Sequence, residues 1–75
     1  MMIKYRWQKN NNRFYQVILQ KNLLKDWCLT CIWGSIHSRL GNSKNYIFGN
    51  QNEAIGFIEA LHGKRVKRGY QLVAS

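Results

Sequence analysis

The sequence predicts an α+β fold: a small antiparallel β-sheet of four to five strands with one α-helix packed on one face. Three observations predict it. Apolar and polar residues alternate with a period of two at the N-terminus. Aromatic and β-branched runs then recur between turn-forming residues, and a stretch near the C-terminus changes to helical spacing behind a capping residue.

Ile3, Tyr5 and Trp7 alternate with Lys4, Arg6 and Gln8, which predicts a strand over 3–9. Asn10-Asn11-Asn12 follows as a turn, because asparagine tolerates left-handed backbone angles. Arg13 to Gln20 is the second strand of a hairpin, and 21–26 is a loop with two apolar residues and room for a short helical turn. Trp27 to Ile36 is the third strand. Trp27, Leu29, Cys31 and Trp33 share one side and Cys28, Thr30 and Ile32 the other. Both sets are apolar, so this strand alone does not say which side faces inward. Gly34 within the run suggests a bulge or a close approach of another backbone or a ligand. After a loop over 37–43, Lys44 to Phe48 forms a fourth strand.

Asn50 opens the helix, with Glu53 three residues on as a capping box requires. Ala54, Phe57, Ile58 and Leu61 make one apolar stripe. Gly63 weakens the helix by about 1 kcal/mol and is a place for a kink. Lys64, Arg65, Lys67 and Arg68 crowd its negative end, and Gly69 suits the residue just past it. Tyr70 to Val73 reads as a short last strand.

A length of 75 residues suits one domain over 1–75. A chain of this size buries only about 60–65% of its unfolded surface, so a deep catalytic pocket would consume much of its core. At 45% hydrophobic residues, disorder is disfavoured. No apolar run approaches the roughly 20 residues of a membrane span, and Met1 to Trp7 lacks a signal peptide's apolar stretch. The expected location is the cytoplasm, with no membrane partner and with both cysteines reduced.

Charge is the first functional hint. Twelve Lys and Arg stand against three Asp and Glu, a net +9, which calls for an anionic partner. The second hint is geometric. One helix covers one face of a sheet, and ten aromatics (three Trp, four Tyr, three Phe) exceed what that side is expected to hold. The surplus is expected on the uncovered face.

Catalytic chemistry finds little support. Cys28 and Cys31 form a C-x-x-C, but residues three apart in a strand point to opposite faces and cannot share a metal. His37 and His62 fit no standard finger spacing. The acids Asp26, Glu53 and Glu59 make no catalytic pair, and no glycine-rich phosphate loop is present. The expectation is a non-enzyme with no cofactor and no metal. Lys64, Arg65, Lys67 and Arg68 read either as a solvated helix end or as a phosphate clamp, with Arg13, Arg39 and Lys44 adding charge elsewhere. Trp33 reads either as a core tryptophan or, beside Gly34, as a stacking platform.

These residues resemble a known family. Trp33-Gly34-Ser35-Ile36 is similar to the signature of the WGR domain, named for Trp-Gly-Arg. Asn12-Arg13-Phe14-Tyr15-Gln16-Val17 resembles its second strand, and Trp27 to Gly41 its aromatic strand, signature and following loop. Asn52-Glu53-Ala54-Ile55 resembles its helix start, and Lys64-x-x-Lys67-Arg68-Gly69-Tyr70 its basic helix end. The resemblance implies a small sheet with one helix across it, and a non-catalytic module that binds DNA near strand breaks in poly(ADP-ribose) polymerases. It implies that Trp33 packs on a nucleotide sugar and that Gln8 and Asn12 supply polar loop contacts. Ser35 replaces the signature arginine and brings no charge, His37 stands where the family usually has glycine, and Arg39 is placed to compensate. The expected interface comprises Gln8, Asn12, Arg13, Trp33, Gly34, Ser35, Arg39, Lys44, Lys64 and Arg65, with DNA or RNA as partner. The second expectation is a protein-interaction module acting through an exposed aromatic face.

Overall fold

A computed structural model describes residues 2–10, 12–37 and 41–74. Six elements follow one another: β1 (Met2–Lys9), β2 (Arg13–Lys21), β3 (Trp27–Ser35), β4 (Gly41–Phe48), α1 (Gln51–Lys67) and β5 (Gln71–Ala74). They make one antiparallel sheet in the order β4-β3-β2-β1-β5, with α1 across one face. The expected fold class is the observed one. β4 begins three residues earlier than the sequence suggested, because its first half pairs along β3 despite being polar (Gly34↔Gly41, Trp33↔Asn42).

The turn between β1 and β2 needs one left-handed residue, and Asn10 supplies it at φ 53°. The Asn12 amide closes the turn by donating to the Lys9 carbonyl at 3.0 Å. Pairing of Lys9 with Arg13 then sets the whole register, so Trp7 lies opposite Tyr15 and Tyr5 opposite Val17. β2 passes the register on, placing Trp33 beside Tyr15 and Cys31 beside Val17. Facing is thereby decided strand by strand. Trp7, Val17, Leu19, Leu29 and Cys31 are buried under Ala54, Ile58 and Leu61 of α1.

Three expectations are corrected. The β2–β3 ladder runs unbroken through Phe14↔Gly34, so Gly34 makes no bulge; the irregular register lies between Arg6 and Trp7, against β5. α1 runs continuously through Gly63, held by its buried stripe. No surplus of aromatics reaches the uncovered face. Nine of the ten lie in or against the core, and only Phe14 belongs to the other side. Clusters such as Tyr46, Phe48 and Phe57, with centroids 4.7–6.4 Å apart, let the helix-covered side hold them all.

Between β2 and β3 the backbone makes a turn rather than a helix. The Asn22 side-chain oxygen accepts from the amides of Leu24 and Asp26, both at 2.9 Å, and Lys25 takes φ 67°. Leu23 and Leu24 stand out into solvent at its tip.

The helix ends follow their sequence signals. The Asn50 side chain accepts from the Glu53 amide at 2.9 Å and donates back to the Glu53 carboxylate at 3.3 Å. At the other end, Gly69 takes φ 91°, the Gly69 amide donates to the Val66 carbonyl and the Tyr70 amide to that of Arg65. This doubly bonded stop requires a left-handed residue at that place. Among the described residues no helix is long and apolar enough to cross a membrane.

Candidate nucleic-acid interface

Antiparallel order sends several chain ends to one pole of a body about 37 Å long. The Asn10–Asn12 turn, the end of β3, the start of β4, the C-terminus of α1 and the start of β5 all meet there. Lys9, Arg13, Lys64, Arg65, Lys67 and Arg68 converge with them. The acids lie elsewhere. Asp26 sits in the β2–β3 turn and Glu53 in the first turn of α1, both at the opposite pole, and Glu59 is half-way along the helix. Cations at a helix C-terminus each gain about 0.3–1 kcal/mol from the dipole. Their mutual repulsion persists within a Debye length of roughly 10 Å, so a polyanion would relieve it.

Trp33 lies on the helix-covered side, just beyond the part of the sheet that α1 buries completely. It is half-buried and stacks on Tyr15, with centroids 5.5 Å apart and planes 11° from parallel. The Arg65 guanidinium lies 4.5 Å from the Tyr15 centroid and 5.4 Å from that of Tyr70. Its Nε is buried without a hydrogen-bond partner among the described residues, so the two rings supply its favourable surroundings. Arg65 thus serves the packing of this pole as well as its charge. Burial pushes the Tyr15 phenol well above the ordinary tyrosine value, and the adjacent Cys31 thiol adds to the shift. Burial likewise raises Cys31.

The turn and the end of β3 are tied together. The Ile36 amide donates to the Asn12 carbonyl at 2.7 Å, and the Ser35 hydroxyl donates to the Asn12 side-chain oxygen at 3.2 Å. The Ser35 hydroxyl proton is therefore engaged with the turn. Beside it, Lys9, Asn10, Asn12 and Arg13 line a polar cleft of about 210 Å³. Lys9 reaches over Tyr70, its Nζ 5.9 Å from the ring centroid.

Of the expected site residues, Asn12, Arg13, Trp33, Ser35, Lys64 and Arg65 come together at this pole. Gln8 and Gly34 are at the same pole but belong to the row that faces away from the helix. Lys44 is further down, opposite Cys31, with Nζ 5.1 Å from the Tyr46 centroid. Arg39 lies outside the described residues. Sequence reasoning gave no role to Tyr15, Lys9 or Tyr70. Tyr15 shares the parity of Val17 and Leu19, and the three-residue turn carries the clean alternation of β1 into it; that was the available signal.

A model of the WGR domain matches residues 1–75, the whole chain. The chain belongs to the WGR domain family. The family is known as a nucleic-acid-binding module in proteins like the poly(ADP-ribose) polymerases. The chain is also 36% identical, over 64 residues, to the uncharacterized protein y4dW of Sinorhizobium fredii (strain NBRC 101917 / NGR234), a stretch that covers 84% of this chain and 30% of that protein. The chain thus corresponds to less than a third of its relative's length. No solved structure matches it. In this WGR domain Trp33 stacks on Tyr15, whose ring also lies against the Arg65 guanidinium, while the Ser35 hydroxyl donates to the neighbouring turn.

Proposed function

We propose that this WGR domain is a non-catalytic module that binds nucleic acid, DNA in particular, at its cationic pole. The carrying observation is the separation of charge: six described cations gather at the pole that holds Trp33 and the Asn10–Asn12 turn, and all three carboxylates lie away from that pole. Lys9, Arg13, Lys64 and Lys67 hold phosphates, Asn12 and Asn10 add polar contacts, and the face of Trp33 not occupied by Tyr15 packs on a sugar or base. Arg39 adds charge in the same stretch of chain as Ser35, where the family's arginine is missing. Two unlinked cysteines accord with a cytoplasmic setting.

The test is a salt titration with duplex and single-stranded DNA, repeated with Trp33→Ala. Neutralising about four phosphates gives a slope near −3.6 of log K against log salt on duplex DNA. Trp33→Ala should weaken binding at least several-fold while circular dichroism stays native. Affinity independent of salt, or unchanged in a folded Trp33→Ala protein, would overturn the proposal.

A protein-interaction role loses its aromatic face, since Phe14 is the one ring on the uncovered side. It keeps one favourable observation, the solvent-exposed Leu23-Leu24 tip at the opposite pole. Partner capture that survives high salt and is lost in Leu23→Ser/Leu24→Ser would favour that role.

A further inference from the structure

We infer that the sheet face turned away from α1 is a second contact surface, fitted to single-stranded nucleic acid and centred on Arg6, Phe14 and Gln16. Register puts these residues side by side: Arg6 lies opposite Gln16, and Phe14 opposite Gln8 in the next row. The Arg6 guanidinium lies 4.6 Å from the centre of the Phe14 ring, and its Nη1 donates to the Gln16 side-chain oxygen at 3.1 Å. Both partners hold the guanidinium in one place. It covers the one ring on this face as a flat cation, the form on which unstacked bases pile.

Other residues near this centre suit the same occupant. The chain's three carboxylates are Asp26 in a turn and Glu53 and Glu59 on the helix, so none lies on these strands. Lys4 adds a second cation one row below Arg6. Gln8 and its β5 neighbour Gln71 bring amides, which both donate and accept as base edges require. The Gln8–Phe14 row adjoins the Asn10–Asn12 turn, so the surface is continuous with the cationic pole. An extended strand can lie along an open sheet face, whereas a duplex presents its bases stacked and turned inward.

The test maps binding of a fluorescent oligothymidylate by anisotropy and by amide chemical-shift changes in the labelled full chain. Shift changes are expected at Lys4, Arg6, Phe14 and Gln16, and should persist in Trp33→Ala. Arg6→Ala and Phe14→Leu should each weaken oligothymidylate at least fivefold, with duplex affinity changed less than twofold. Arg6→Lys, which keeps the charge but not the flat group, should fall between wild type and Arg6→Ala. Shift changes confined to the cationic pole would overturn the inference while leaving the proposed function standing. So would perturbation of this face by a protein partner but not by oligothymidylate. Loss of duplex binding in Trp33→Ala with no effect from Arg6→Ala would assign all recognition to the pole.

Discussion

Trp33 and Tyr15, on neighbouring strands, lie face to face at 5.5 Å with 11° between their planes. The indole is therefore not a free platform. It is paired with Tyr15, and the Arg65 guanidinium lies over the same tyrosine. Trp33 is at once a packing residue and a half-buried residue of the cationic pole, and packing and binding separate by experiment.

Tyr15→Phe should leave the stack and nucleic-acid affinity within twofold of wild type. Tyr15→Ala should cost about 3 kcal/mol, at the low end for losing a large aromatic, because the ring is only half-buried. It should also weaken binding by freeing the indole. Urea denaturation and a DNA titration on the two variants check both effects. Equal affinity in Tyr15→Ala would show that Trp33 needs no orientation by its neighbour.

Tyr15 and Cys31 both have raised folded-state values, with burial the main cause. For such acids the neutral form is favoured in the folded protein. Their contribution is fully present below the unfolded values and is lost as pH rises past them, from about 8.5 for the thiol and about 10 for the phenol. The melting temperature should therefore fall progressively as pH rises above about 8.5. Tyr15→Phe should remove the upper part of that fall.

The Trp7 indole is 1% exposed, and its N–H donates to His62 Nδ1 at 2.9 Å. His62→Phe should strand that donor in the core at a cost of about 1–3 kcal/mol. Glutamine at position 62, able to accept the same bond, should recover part of it. Equal urea midpoints for the two variants would mean that the N–H finds another partner.

Gly69 stands at φ 91°, where an L side chain is strained. Gly69→Ala should cost more than about 1 kcal/mol even though a Cβ would meet only the flexible Lys9 side chain at 3.6 Å. Gly63→Ala, in an open position within the helix, should instead stabilise by about 1 kcal/mol. Thermal melts of the pair test whether backbone conformation, rather than packing, decides the sign.

What the sequence by itself determined was local. Alternation in β1, the asparagine turn, the Asn50–Glu53 cap and the Gly69 stop each depend on residues within a few positions of one another, and each element formed where those signals lay. The charge excess and the family resemblance were legible in the same way. Tertiary structure decided which way β3 faces, because that strand is apolar on both sides and inherits its facing from β1 through two successive registers. The same pairing drew nine of the ten aromatics to the helix side and Phe14 alone to the other. It also gathered cations from β1, β2 and the helix end at one pole, a proximity set by strand direction that no spacing along the chain encodes.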